Sequence, residues 1–91
     1  MSVKVRIPTQ LRPLAGGVGE VEVDGGTVGD ALKALDVAHP GFSERLFDEG
    51  GNLRRFVNVF MGEEDIRFLS GLATPVPAGS VVSVVPAVAG G

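Results

Sequence analysis

Few side chains in this sequence could do chemistry. His39 is the single histidine, and it stands beside Pro40. An imidazole titrates near neutral pH and can act as a general base or metal ligand. With no second histidine and no cysteine, it has no partner for either task, and a histidine meeting the dipole at a helix C-terminus is the simpler reading. The run Glu63-Glu64-Asp65 could offer oxygens to a hard cation, but it fits a solvated turn better. Ser43, Ser70, Ser80 and Ser83 lack a base that would activate them. The glycines of 16–26 are not followed by the Lys-Ser or Lys-Thr of a phosphate-cradling loop. The absence of cysteine removes disulfides, thiolate zinc sites and iron–sulfur clusters. No catalytic residue, no metal site and no cofactor of its own is expected.

The main chain offers one more candidate. The sequence closes on Val-Val-Ser-Val-Val-Pro-Ala-Val-Ala-Gly-Gly. Pro86 ends the apolar run, and Val88, Ala89, Gly90 and Gly91 carry only small or slender side chains. Glycine has no Cβ, so this stretch is thin and conformationally free, and it can thread a narrow channel. A free carboxylate on Gly91, with a pKa of about 3.5, could then be presented as a nucleophile or acyl donor.

Something must hold such an end. Residues 2–8 alternate, with Val3, Val5 and Ile7 on one face and Lys4 and Arg6 on the other, which predicts a half-buried strand ended by Pro8. Residues 10–17 carry Pro13 and a Gly pair and predict a loop. Residues 18–26 alternate again, with Val21 and Val23 against Glu20 and Glu22, and close the second arm of a hairpin. At Thr27 the period changes: Val28, Ala31, Leu32 and Leu35 fall at i, i+3, i+4 and i+7, one stripe of a helix. Thr27 is its cap, with Asp30 in the capping-box position, and Pro40-Gly41 stops it. A short helical turn follows within 42–51. Residues 52–61 predict a third strand, Ile66 and Phe68 a short fourth, and 81–85 a last strand apolar on both faces, as a central strand covered on each side would be.

These elements make an α+β domain, one sheet on one helix, over 1–85, followed by a flexible Gly-Gly segment at 86–91. The expected core is Val3, Val5, Ile7, Val21, Val23, Leu32, Leu35, Leu46, Val57, Leu72, Val82 and Val84. Eight Lys and Arg against eleven Asp and Glu give a net charge of −3, and Trp and Tyr are absent. A phosphate-backbone binder needs a basic stripe and stacking aromatics, so nucleic acid is not an expected partner. The apolar run at 81–89 is far short of the ~20 residues of a membrane span, and a cytoplasmic domain that does not engage membranes is expected.

The stretches SVKVRIPTQLRP, TVGDALKAL, HPGFSERLFDEGGNLRRFVNVFMGEEDIRF and GLATPVPAGSVVSVVPAVAGG resemble the MoaD/ThiS family of ubiquitin-like sulfur carriers, and within it the cysteine-biosynthesis branch. The Pro-Ala-Val-Ala-Gly-Gly ending and the Arg-Phe-Val-Asn-Val strand are the specific parts. Ser80 departs from the Asp common in that turn, and a serine can make a similar bond.

The resemblance implies a β-grasp (ubiquitin-like) fold, a mixed sheet of four to five strands on one main helix. It implies that an E1-like adenylyltransferase using ATP activates the Gly91 carboxyl, and that a sulfur donor then displaces AMP to leave a thiocarboxylate. In the cysteine branch the sulfur passes to a cysteine synthase dependent on pyridoxal phosphate, and a zinc-dependent peptidase cuts the carrier free. In the molybdopterin branch it enters the pterin precursor. A ubiquitin-like modifier would instead join the activated Gly91 to target lysines. Each of these partners must grip the body while the end threads in. The sheet face away from the helix, with Phe56, Asn58 and Phe60 and with Arg54 and Arg55 nearby, has a common interface make-up. The alternative is that the two Phe pack under the 8–18 or 41–50 segment.

Overall fold

The computed structural model describes residues 2–55 and 57–86. Five strands and two α-helices follow one another: β1 (Ser2–Arg6), β2 (Glu20–Asp24), α1 (Val28–Ala38), α2 (Phe42–Leu46), β3 (Val57–Met61), β4 (Glu64–Asp65) and β5 (Val81–Pro86). The sheet order is β2-β1-β5-β3-β4. β5 runs parallel to β1, and the remaining neighbours are antiparallel. The sheet is therefore mixed, as expected.

The alternation in β1 does what its pattern predicts. Val3 and Val5 are buried, while Ser2, Lys4 and Arg6 are exposed. The same period in β5 buries Val82 and Val84. α1 lays Val28, Ala31, Leu32 and Leu35, all fully buried, against this face. Thr27 caps α1: its Oγ1 accepts a hydrogen bond from Asp30 N at 3.2 Å, satisfying one of the free amides of the first turn. Gly25 lies where α1 passes closest to the end of β2, and a Cβ there would fall 2.7 Å from Ala31 N.

α2 depends on a side chain from the helix before it. Asp36 Oδ1 accepts from Gly41 N at 3.1 Å and from Ser43 N at 3.0 Å. Gly41, the N-cap of α2, has φ +115°, a left-handed conformation suited to glycine. Once placed, α2 sends Phe42 and Leu46 into the core.

Four expectations change. Residues 9–15 are a 3-10 helix and not an open loop. Ala15 is buried, Leu11 and Leu14 pack against the core, and Arg12 Nε donates to Ile7 O at 3.2 Å. The fourth strand lies at Glu64–Asp65, within the stretch expected to be a solvated turn, and Ile66–Phe68 is a 3-10 turn, because Asp65 Oδ1 accepts from Arg67 N at 2.8 Å and turns the chain. Ile66 is then buried and Phe68 points out, 86% exposed. Residues 52–55 precede β3 and are not part of it, with Leu53 bridged to Phe47. β5 is central, but only one of its faces is covered: Val85 is 44% exposed. Within the core, Val21 and Leu72 are only partly buried, while Ala15, Val28, Ala31, Phe42, Val59, Ile66 and Val76 are buried beyond the expected set.

The hydrogen bond from Ser43 N, with that from Gly41 N, holds the Asp36 carboxyl below its ordinary pKa of 3.8, although burial opposes them. A depressed carboxylate contributes stability above its unfolded pKa and loses it as pH falls through the lower folded value. Asp36→Ala is expected to cost about 1 kcal/mol, the usual worth of a lost cap, in urea unfolding at pH 7. The gap to the parent should narrow in the same measurement below pH 3.8.

Candidate functional site

Cross-strand partners in a sheet point to the same side, so the register defines the face left open by the helices. One row runs across all the strands: Glu20 opposite Arg6, Arg6 beside Ser83, Ser83 opposite Phe60, and Phe60 opposite Asp65. A second row holds Glu22, Lys4 and Val81, and a third pairs Asn58 with Val85. The β2 side is charged: Glu20 lies 3.8 Å from both Lys4 Nζ and Arg6 Nε. The centre is apolar, with Phe60, Val81 and Val85 partly or well exposed.

The β4 side carries a cluster of three polar side chains. Arg67 pairs with Asp65 at 3.1 Å through Nη2, and its Nε donates to Asp65 Oδ1 at 3.3 Å. Its Nη2 also donates to Asn58 Oδ1. Arg67's side-chain bond and then its backbone N–H hold the Asp65 carboxyl below the usual carboxylate range, and Asp65 in turn raises the guanidinium.

Asn58 and Phe60 thus stand together on the open face, as placed from the sequence. Phe60 is half-buried and is not part of the core. Arg54 meets the cluster at its Asp65–Arg67 end, where it lines one pocket with Arg55, Asp65 and Arg67. Its Nε donates to Glu44 O at 3.1 Å and ties the approach to β3 onto α2, on the helix side of the sheet. Arg55 is exposed. Phe56, Val88, Ala89, Gly90 and Gly91 lie outside the described residues. Arg67 was not singled out from the sequence; the signal available there was Asp65 two residues earlier, an Asx-turn spacing.

Pro86, the last described residue, pairs with Val57 at the end of β5. Asn58 and Val85 are the next pair inward, so the third row borders the root of the C-terminal segment. A cleft of about 570 Å³ lies elsewhere, lined by Thr27, Asp30 and Lys33 of the α1 region, Phe47 and Leu72. The start of α1 follows the end of β2, beside the first residues of β1 and at the opposite end of β5 from Pro86. Among the described residues no three His, Asp or Glu side chains gather as a metal site requires. No helix among them is long and apolar enough to cross a membrane.

Comparison with known proteins agrees with this arrangement. The ThiS family model matches residues 5–91. The chain belongs to the ThiS family. It is 47% identical to the sulfur carrier protein CysO of Mycobacterium tuberculosis over 93 aligned positions, covering all of both chains. Its fold superposes on a chain of the Amycolatopsis orientalis BexX/CysO complex with a TM-score of 0.91 at 43% identity, covering 98% of this chain and 99% of that one. It also matches SAMP1 of Haloferax volcanii, with a TM-score of 0.84, 34% identity and full coverage of both chains. The fold is the ubiquitin-like β-grasp, and the chain is a ThiS-family ubiquitin-like domain similar over its whole length to sulfur carrier proteins of the CysO kind.

Phe60 and Ile66 give a direct contrast between face and core. Ile66→Ala, at a buried site, is expected to cost about 2–5 kcal/mol in urea unfolding. Phe60→Ala should cost well under 2 kcal/mol, while weakening binding to any enzyme that takes the C-terminal segment.

Proposed function

We propose that this protein carries sulfur as a thiocarboxylate on the Gly91 carboxyl and supplies it for cysteine biosynthesis. The observation that carries this reading is the full-length 47% identity to a CysO sulfur carrier, with the family match running through residue 91. A bare carboxylate resists nucleophiles, so activation comes first. An E1-like enzyme joins the Gly91 carboxylate to the α-phosphate of ATP and releases pyrophosphate. The acyl adenylate then carries AMP as leaving group. Sulfide-level sulfur (HS⁻) from a donor attacks the acyl carbon, a C–S bond forms, the C–O bond to AMP breaks, AMP and a proton are released, and Gly91-C(O)S⁻ results.

The body contributes grip and aim. Val88, Ala89 and Gly90 pass a narrow channel, and the open sheet face around Asn58 and Phe60 seats the partner. The partner enzymes bring ATP, pyridoxal phosphate and zinc: the adenylyltransferase, a cysteine synthase that accepts the sulfur, and a peptidase that frees the carrier. That partner proteins exist for such a chain is supported by the relative solved in complex with BexX. In this reading the protein works in the cytoplasm alongside those enzymes.

A second reading is favoured by the likeness to SAMP1, a small archaeal modifier protein. There the same activated Gly91 would form an amide with a target lysine. Intact mass separates the two. Protein isolated from its host is expected to be about 16 Da heavier than the sequence mass, one oxygen exchanged for sulfur. Lysine-linked adducts of higher mass, with no such shift in the free protein, would establish the modifier instead. Deleting Gly91, or adding one residue after it, should abolish either product while the fold is retained.

A further inference from the structure

We propose that Arg67 is a specificity residue of this carrier, presented at the root of the C-terminal segment to a carboxylate on the enzyme that activates it. The inference rests on the sulfur-carrier reading and names the partner chemistry that reading leaves open.

Geometry limits where a partner can hold the body. From Pro86 to Gly91 the chain spans five residues, at most about 17 Å even when fully extended. An enzyme acting on the Gly91 carboxyl must therefore place its catalytic centre within that radius of Pro86, and its docking surface meets the body close by. On the open face the residues nearest that root are Val85 and Asn58, and Asn58 is the residue to which Arg67 donates.

The Asp65–Arg67 pair is asymmetric. Asp65 has 12% of its side chain exposed, and Arg67 has 62%. The anion sits inward and the cation outward, so an approaching protein meets the guanidinium. Its position is fixed from two directions, by both Asp65 oxygens and by Asn58. A guanidinium has five N–H donors; three are engaged here, and the two on Nη1 have no partner among the described residues. A fork with free, oriented donors suits a carboxylate better than a mobile ammonium does. The surround is partly apolar and partly basic: half-buried Phe60 and exposed Val85 stand on the face and Phe68 at the β4 edge, while Arg54 and Arg55 line one pocket with Asp65 and Arg67. Apolar side chains beside a charged contact shield it from water and strengthen it. The other cations of the face, Lys4 and Arg6, are shared with Glu20 on the far side of the sheet.

The test uses the full-length protein, ATP and the E1-like adenylating enzyme of the same organism, with pyrophosphate release followed against carrier concentration. Arg67→Gln is expected to raise KM for the carrier at least about tenfold, the factor one charged hydrogen-bonded contact is worth, with kcat within about twofold. Arg67→Lys should recover only part of the loss, and higher salt should narrow the gap between parent and variant. Arg67→Glu should be worse than Arg67→Gln; if it unfolds, the Gln and Lys variants still decide the matter. Unchanged KM in a folded Arg67→Gln, or a thermal-stability loss without a KM change, would overturn the assignment and leave the carrier reading intact. No pyrophosphate release with the parent protein would overturn both.

Discussion

β5 is paired along both edges, in parallel with β1 and antiparallel with β3, and it pins Val82 and Val84 beneath the helices. A parallel pair cannot be joined by a tight turn, so the whole chain between β1 and β5 must cross over and return. That crossover is the fold: α1, α2 and the 3-10 turns fill one side of the sheet because the connections run there. The last strand to be placed is also the strand from which the C-terminal segment departs. Pro86 is held by β3 on one side, so the departure point is set by the same ladder that closes the core.

The uncovered face follows from the same asymmetry. With one layer of helix, one side of the sheet stays open, and its make-up is graded: acids and bases paired at β2 and β1, an apolar centre at Phe60, Val81 and Val85, and the Asp65–Arg67–Asn58 cluster at β4. The exposed pairs of Glu20 with Lys4 and Arg6 contribute little to folding stability. The sheet edges are guarded against pairing with other chains. β2 alternates Glu20, Glu22 and Asp24 along its outer side, and β4 is only two residues long.

Local periodicity was enough to place β1, β2 and α1, because each buries one stripe and Thr27 marks the change of period with a cap that the structure contains. It failed where a distant contact decides the outcome. Pro13 and the Gly16-Gly17 pair suggest a loop, yet Leu11, Leu14 and Ala15 find the core and Arg12 is tied to Ile7 O. Ile66 and Phe68 alternate like a strand, but the Asp65 side chain reaches Arg67 N and converts the stretch to a 3-10 turn. The valines of β5 suggested cover on both faces; Val85 is apolar for a different reason, being part of the open centre. Of the candidate site, Asn58 and Phe60 were legible from alternation within β3. Arg54 was placed from its position just before β3, but its hydrogen bond to Glu44 O depends on how α2 folds back. The neighbourhood of Arg67 and Asn58, nine residues apart, needed the β3–β4 turn.

The choice of cations bears on the proposed chemistry. An activated acyl group is open to attack by thiols and amines, and a carrier rich in either would risk acylating itself. This sequence has no cysteine and only two lysines, Lys4 and Lys33, against six arginines. Lys4 is shared with Glu20 on the sheet, and Lys33 lies on α1, in the wall of the cleft toward the other end of β5. Near the root of the C-terminal segment the described cations are Arg54, Arg55 and Arg67. A guanidinium keeps its charge at every pH the protein meets and is a poor nucleophile. It can hold a partner's carboxylate or carbonyl beside a reactive acyl group without competing for it. Basic contacts made by arginine thus reconcile two demands that lysine would set against each other: attraction to the enzyme, and inertness toward the bond that enzyme makes.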